Sequence, residues 1–210
     1  MSKLQSQFLS IVKSSQQDSS FKLRELSSFE DREVACIVNG PSIGDVEAIS
    51  SSRVHSWIKQ RAAMQPDAIA LFSAERNESV TYRELANRSS QVAHYLAANK
   101  VAPGEGVLLH ICRGFQTVIW LLGILQAGAY YVVLDKKLPD RRKAAIAATS
   151  EARFLVTDDF KIQQMISGLD IEVLSLDIAE RELSAQPVTF VESTLRDNDL
   201  AYSMFSPSVY

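Results

Sequence analysis

The feature that most constrains the fold is an uncharged, mostly apolar stretch that runs from Phe115 to Leu134. Its length matches the roughly 20 residues that a helix needs to cross a bilayer. Gln126 and Gly128 interrupt the apolar run, however, and the residues after Gly128 are mostly aromatic and β-branched, which favours a strand. The stretch therefore predicts a buried helix, a glycine stop and a buried strand, and a membrane or interfacial segment is the alternative.

Composition and charge fit a globular protein of one domain, with room for an appendage. Hydrophobic residues make up 46% and charged residues 22% of the 210 residues, which is ordinary for such proteins. The 22 basic and 25 acidic side chains leave a net charge of -3, so no basic surface indicates a nucleic-acid or membrane partner. Cys36 and Cys112 show no metal or redox spacing, and no secretory signal is recognisable. These features predict a cytoplasmic protein without a disulfide framework.

The composition changes near Ser50. Residues 1–50 are polar and rich in serine, and the segment "VNGPSIGDVEAISSS" is typical of a linker. Beyond it, predicted strands alternate with predicted helices at spacings that suit crossover connections. We therefore expect a polar linker at 1–50 and, at 51–210, an α/β domain with a mainly parallel sheet flanked by helices.

Local signals predict several elements of this domain. A helix that begins near residue 53 is expected to have an apolar face made of Val54, Trp57, Ile58 and Ala62. Thr81 and Glu84 have the spacing of a capping box, which predicts the start of the next helix. The segment "VLLHIC" is apolar without alternation, which predicts a strand that is covered on both faces.

The last part of the domain is less regular. After the predicted strand "IEVLSL" comes a charged passage for which we expect no regular structure. The segment "LAYSMFS" is expected to form a buried final strand, because aromatic residues and methionine at this spacing suit one.

The three histidines, His55, His94 and His110, fall on different predicted elements. Zinc sites usually need three or four ligands at close spacing, so we expect no metal site. His94 lies on the capped helix and His110 in a predicted buried strand. A structural role is the simpler interpretation for both.

Cys112 and two neighbouring aspartates are the other candidates for chemistry. Cys112 follows a predicted strand, but no base can be assigned to it, and we expect a small buried hydrophobic side chain. Asp158 and Asp159 could bind a ribose or a metal, but capping of the following helix is the commoner role and is expected here. The 8 glycines form neither G-x-G-x-x-G nor G-x-x-x-x-G-K-[ST], so these residues contain no recognisable phosphate loop.

The chain contains the segments "VTYREL" and "LGILQAGAYYVVLDKKLPDRR". Both resemble core motifs of the adenylation domains of nonribosomal peptide synthetases. "VTYREL", from Val80 to Leu85, is similar to the first motif, LTYxEL. "LGILQAGAYYVVLDKKLPDRR", which begins at Leu122, is similar to the second, LKAGxAYVPLDPxxPxxR. Val133 and Lys136 replace two prolines that are usual there, and both changes loosen turns rather than remove chemistry. The resemblance implies the incomplete N-terminal subdomain of an adenylate-forming, AMP-binding enzyme.

The segment "DLAYSMFSPSVY" resembles the strand that leads into the third core motif, AYxxYTSGTTGxPKG, whose loop wraps the phosphates of ATP. Ser206 stands where the first threonine of this loop would be, and the match fails from Pro207 on. The resemblance therefore implies Ser206 as the cofactor-binding residue, with no catalytic residue and no metal ligand in this chain. ATP and magnesium are the family's cofactors, but we expect this chain to hold neither, and it has no phosphopantetheine attachment site.

The resemblance also implies a function. Residues 21–41 are similar to the tail of a condensation domain and its linker, so residues 51–210 would be a truncated adenylation domain. We expect a truncated nonribosomal peptide synthetase-like protein that is inactive alone, whose family role is amino-acid activation by ATP-dependent adenylation in secondary-metabolite biosynthesis. Two alternatives stay open: a non-catalytic interaction module that docks on a complete peptide synthetase as its partner, and a ligase completed by another chain.

Overall fold

The computed structural model describes residues 53–192, 195–196 and 198–205. The linker predicted at 1–50 and the predicted cofactor-binding residue Ser206 lie outside the described residues. The helices are α1 (Val54–Met64), α2 (Tyr82–Ala98), α3 (Phe115–Gln126), α4 (Asp140–Thr149), α5 (Phe160–Met165) and α6 (Leu176–Leu183). The strands are β1 (Ile69–Ser73), β2 (Glu78–Thr81), β3 (Gly106–His110), β4 (Tyr130–Val133), β5 (Phe154–Thr157), β6 (Glu172–Ser175) and β7 (Tyr202–Ser203).

Five of the described strands form one parallel sheet in the order β6-β5-β3-β4-β7. The central strand is β3, and all of its residues are buried, as the absence of alternation predicts. Its Leu108 lies opposite Val132 of β4 on one side and Leu155 of β5 on the other. β1 and β2 form a separate antiparallel hairpin. The predicted α/β fold, a mainly parallel sheet flanked by helices, is confirmed.

The apolar stretch from Phe115 to Leu134 folds into α3, a tight turn and β4. Gly128 ends the helix with a φ of 84°, in the left-handed region that favours glycine. A Cβ at this position would also lie 3.1 Å from Cβ of Pro103. The prediction of a helix, a glycine stop and a strand is confirmed. Within the described parts of the chain, no helix is both long and apolar enough to cross a membrane.

The predicted capping box begins α2. The amide of Glu84 donates to Oγ1 of Thr81 at 3.3 Å, and the amide of Thr81 donates to Oε2 of Glu84 at 2.8 Å. Further along, α2 packs closely against α3, because Gly123 has no side chain there. A Cβ on Gly123 would lie 2.4 Å from Cγ1 of Val92.

Apolar side chains cover both faces of the parallel sheet. On one face, Leu109 of β3 joins the core that contains Trp120 of α3, together with side chains of α2 and α6. On the other face, Leu108 joins the core that contains Ile146 of α4 and Ile162 of α5. Successive residues of a strand point to opposite faces, so a single buried strand can contribute to both cores.

Two expectations about burial are wrong. Of the apolar face predicted for α1, Ile58 contacts the core, but Val54 and Trp57 are 47% and 48% exposed. The predicted final strand is reduced to the two residues of β7, at the edge of the described sheet. On either side of β7, Leu200 and Met204 are 61% and 70% exposed.

The charged passage after β6 is not irregular as expected. It forms α6, in which Ala179 and Leu183 are buried four residues apart on one face. This spacing places both side chains against the core formed with α2 and α3. The surrounding charges obscure the helical pattern in the sequence, because they occupy the solvent-facing positions of the same helix.

Candidate functional site

The carboxyl ends of β3, β4 and β5 meet at one edge of the parallel sheet. From β3 the chain continues through α3 to β4 on one side, whereas from β5 it continues through α5 to β6 on the other. Accordingly, Ile119 of α3 and Ile162 of α5 belong to the cores on opposite faces. The direction in which successive strands are added to the sheet therefore reverses between β3 and β5. At such a point the connections on the two faces separate and leave a crevice outside the strand ends, where open α/β sheets bind their ligands. The candidate site is therefore the edge around the ends of β3 and β5.

The buried part of this site is the ring of His110, the last residue of β3. His110 is 1% exposed, and its Nδ1 lies 3.0 Å from Oγ1 of Thr157 at the end of β5. Its Nε2 has no hydrogen-bond partner among the described residues. Burial, assisted by the ammonium groups of Lys143 and Lys136, lowers the pKa of His110. The ring is therefore neutral at neutral pH, as a structural histidine would be.

The two aspartates after β5 have different roles. Oδ1 of Asp159 accepts a hydrogen bond from the amide of Lys161 at 3.0 Å and caps α5, as predicted. That hydrogen bond from the backbone lowers the pKa of Asp159. Asp158 caps nothing in α5 and instead forms an ion pair with Lys136, the third residue after β4. The prediction of capping is thus confirmed for Asp159 and wrong for Asp158.

Cys112 is exposed, so the prediction of a small buried side chain is wrong. The reason is that β3 ends at His110, and Cys112 lies in the turn toward α3 rather than in the strand. The backbone carbonyl of Cys112 accepts a hydrogen bond from Oγ1 of Thr117 at 2.8 Å, which fixes the turn. Its Sγ lies 3.4 Å from Nζ of Lys136.

Lys136 therefore contacts both a thiol and a carboxylate. Burial opposes its charged form, but hydrogen bonds with Asp158 and Cys112 outweigh that effect and raise the pKa of Lys136. The side chain consequently remains an ammonium. The sequence shows Lys136 as a replacement for a usual proline, but it does not show that the lysine reaches across β3 to β5.

A groove of about 310 Å³ opens beside Cys112. The groove is lined by apolar side chains of β3, β4 and the turns after them, namely Leu109, Ile111, Val133 and Leu134. Charged side chains lie at its rim, namely Arg113, Asp135, Lys136 and Lys137. At the rim, Arg113 and Asp135 form an ion pair at 2.8 Å. The amide of Lys137, with Arg113, lowers the pKa of Asp135. The groove can therefore take a small molecule that is partly apolar.

The other histidines do not join this site. His55 lies on α1, with its ring centroid 6.0 Å from that of Phe190, and burial lowers its pKa. Nε2 of His94 lies 2.9 Å from the carbonyl oxygen of Thr189. No group of three His, Cys, Asp or Glu side chains that could hold a metal is found within the described ranges. β7 runs parallel to β4, so the carboxyl end of β7 lies at the same edge of the sheet as that of β4. Ser206 is not among the described residues.

Residues 58–206 match the model of a known family, described as AMP-binding enzyme. The chain belongs to this family. The match includes both adenylation motifs and every strand of the parallel sheet. It also includes the edge at which Cys112, Lys136 and Asp158 meet.

Named relatives are large synthetases, of which this chain spans a small part. The chain is 43% identical over 206 residues to Hybrid PKS-NRPS synthetase TAS1 of Pyricularia oryzae, a match that covers 98% of this chain and 12% of that protein. It is 29% identical over 160 residues to Bacitracin synthase 3 of Bacillus licheniformis, which covers 76% of this chain and 2% of that protein. These matches confirm the resemblance to peptide synthetases.

A solved structure of similar architecture is the N-terminal subdomain of NpsA from Klebsiella oxytoca, in complex with 3-hydroxybenzoyl-AMSN. It is 26% identical to this chain with a TM-score of 0.62, and the match covers 71% of this chain and 36% of that one. The chain thus corresponds to the N-terminal part of an adenylation domain.

The described residues do not fit the ATP and magnesium that the family uses. The carboxylate of Asp158 is already paired with Lys136, and no cluster of potential metal ligands accompanies it within the part of the chain that the structure describes. The 210 residues contain no clustered glycines whose amides could surround a triphosphate.

Proposed function

We propose that this chain is part of a nonribosomal peptide synthetase-like protein, whose role is amino-acid activation by ATP-dependent adenylation in cytoplasmic secondary-metabolite biosynthesis. We further propose that the 210-residue polypeptide supplies scaffold to that activity and does not catalyse it by itself. It would have no nucleic-acid or membrane partner, in keeping with a net charge of -3.

The observation that carries this proposal is the match of residues 58–206 to the AMP-binding family. The folded positions of both motifs support it. Thr81 and Glu84 of the first motif begin α2 with a capping box, and Gly128 of the second ends α3 at the turn into β4. In both motifs these residues therefore build the fold.

Chemistry supports the second part of the proposal. Adenylation develops charge on the departing pyrophosphate, which several aimed donors or a metal ion must stabilise. Ser206 is the only residue implied as a nucleotide contact, and Pro207, which follows it, has no amide hydrogen to donate. Losing a single aimed donor typically costs about 2.7–4 kcal/mol of transition-state stabilisation. Without the rest of the loop, catalysis is not expected.

The experiment is ATP–pyrophosphate exchange by the purified 210-residue polypeptide, with each proteinogenic amino acid in turn. We expect no amino-acid-dependent exchange and no saturable ATP binding below the millimolar range. Ser206→Ala is the matched variant. Saturable exchange that disappears in Ser206→Ala would overturn the proposal of a non-catalytic scaffold.

A second candidate function is a non-catalytic module that docks on a complete synthetase. The exposure of Tyr202 in β7, an edge strand of the described sheet, and of Leu200 and Met204 beside it favours this candidate. Co-purification from the native host, compared between the natural chain and Tyr202→Lys, tests this candidate. Recovery of a synthetase with the natural chain and its loss with the variant is the expected result, and equal recovery, or none, counts against docking through β7.

A further inference from the structure

A segment that forms neither helix nor strand follows α6 and contacts both α1 and α2. We call residues 187–192 the strap. Among the described residues, no hydrogen bond joins the backbone of the strap to another backbone group. The strap is therefore held in place by contacts in which side chains take part.

Phe190 makes the central contact of the strap with α1. Its ring centroid lies 6.0 Å from that of His55, and Nζ of Lys59 lies 4.3 Å from the same Phe190 centroid. Lys59 also forms an ion pair with Glu192 at 3.0 Å. Because His55 and Lys59 are four residues apart on α1, they present one surface of the helix to the strap.

His94 of α2 holds the strap through a hydrogen bond to its backbone. Nε2 of His94 lies 2.9 Å from the carbonyl oxygen of Thr189 and 3.2 Å from its Oγ1. A carbonyl oxygen can only accept, so Nε2 carries the hydrogen in this contact. A second proton, on Nδ1, would leave that hydrogen bond intact. His94 can therefore hold the strap in either protonation state.

His55 of α1 differs from His94, because it is enclosed. Its side chain is 6% exposed, and its Nδ1 has no hydrogen-bond partner among the described residues. A protonated ring would carry its charge away from water, with a donor at Nδ1 that no described group accepts. Burial, assisted by the charge of Arg53, accordingly lowers the pKa of His55. The ring beside the strap is therefore neutral at neutral pH.

The charged groups around His55 do not compensate a proton on its ring. Arg53 adds a positive charge, and Lys59 and Glu192 neutralise each other as an ion pair. α2 and α3 both pack against α1. α2 presents His94 to the strap, and α3 has no ionisable side chain. A charged His55 is therefore stabilised most by water, which reaches the ring when the strap lifts.

We propose that the strap is a pH-sensitive device that opens when His55 takes up a proton. In the closed form the neutral ring lies beside Phe190, and in the open form the protonated ring contacts water. The strap lies on the connection from α6 to β7, so its opening slackens the tether of an edge strand. Because β7 is only two residues long, acid should loosen this edge of the sheet before the core.

Chymotrypsin cleavage after Phe190 in the full 210-residue chain measures the opening, because cleavage of a local segment follows the population of its open form. The rate at each pH is divided by the rate for a free peptide with the sequence of residues 184–198, which removes the pH dependence of the protease. Cleavage after Tyr95, which is buried in α2, reports unfolding of the domain in the same digest.

From about pH 7.5 to about pH 5.5, the normalised rate of cleavage after Phe190 should rise severalfold. The limit is about tenfold, which is set by an open form whose histidine has the ordinary pKa of 6.5. Cleavage after Tyr95 should rise less. His55→Gln cannot take up the proton, so its normalised rate after Phe190 should be the same at both pH values.

His94→Gln is the matched control, because it removes the other histidine that contacts the strap. Cleavage after Phe190 should be faster than in the natural chain at both pH values, with the ratio between the two pH values kept. The comparison of the two cleavage positions in the natural chain does not depend on any variant. An unchanged rate after Phe190, an equal rise after Tyr95, or an undiminished rise in His55→Gln would overturn the inference.

Discussion

A close approach between α2 and α3 offers a direct test of how the fold is held together. Gly123 of α3 faces Val92 of α2, and a Cβ there would lie 2.4 Å from Cγ1 and 2.5 Å from Cβ of Val92. The backbone oxygen of Ser89 would be 3.0 Å away. Optimal carbon–carbon contacts are about 3.5–4.0 Å, so Gly123→Ala forces the two helices apart by roughly 1 Å.

The expected loss of stability follows from two opposing effects. Overpacking a filled core costs about 1–3 kcal/mol of stability. A change of rotamer cannot relieve the clash here, because the new Cβ would meet the Cβ of Val92 and the backbone oxygen of Ser89. Alanine is favoured over glycine within a helix by about 1 kcal/mol, which offsets part of the cost. Gly123→Ala should therefore lower the free energy of unfolding by about 2 kcal/mol.

Urea unfolding monitored by tryptophan fluorescence measures this change. Trp120 of α3 is fully buried, whereas Trp57 is 48% exposed, so Trp57→Phe leaves a single reporter inside the affected core. With a urea dependence of about 1–3 kcal/mol per molar, the unfolding midpoint should fall by about 1 M. Gly168→Ala is the control, because a Cβ on Gly168 meets nothing within 4 Å. An unchanged or higher midpoint for Gly123→Ala would refute the reasoning.

Two further predictions concern local interactions. Thr81→Ala removes the side-chain half of the capping box and should lower the free energy of unfolding by about 1 kcal/mol in the same urea assay, whereas no change would show that the cap is not needed. Burial holds the pKa of His110 below its ordinary value of 6.5, so on acidification the unfolded chain takes up a proton that the native ring resists. The contribution of the neutral ring is therefore fully present above pH 6.5 and is lost as the pH falls from there toward the lowered native pKa. His110→Gln should make the dependence of unfolding free energy on pH shallower in that range, and an identical slope contradicts this assignment.

Those parts of the fold that depend on neighbours in sequence were predictable. The capping box needs only Thr81 and Glu84, three residues apart, and the helix stop at Gly128 needs only a local change of backbone conformation. The buried strand β3 is evident from an apolar run without alternation. In each case the signal and the structure it specifies lie within one turn or one strand.

The candidate site was predictable only in part, because it joins residues that are distant in sequence. The capping role of Asp159 is local and could be predicted, but the pairing of Lys136 with Asp158 requires the crossover that places β5 beside β3. The exposure of Cys112 depends on where β3 ends, and strand ends are the least certain part of a pattern. The exposure of Tyr202 depends on which strands lie beside β7, which no local signal reveals.

The most direct test of the proposed role is to graft this chain into a working enzyme. Residues 58–205 replace the corresponding part of an adenylation domain from a related synthetase, and amino-acid-dependent ATP–pyrophosphate exchange is measured beside the 210-residue polypeptide alone. A second graft that carries Gly123→Ala controls for packing of the scaffold. If the chain is the scaffold of an adenylation domain, the graft exchanges, the Gly123→Ala graft exchanges less, and the polypeptide alone does not. A graft that folds, as judged by a cooperative melt, but shows no exchange contradicts the proposed function.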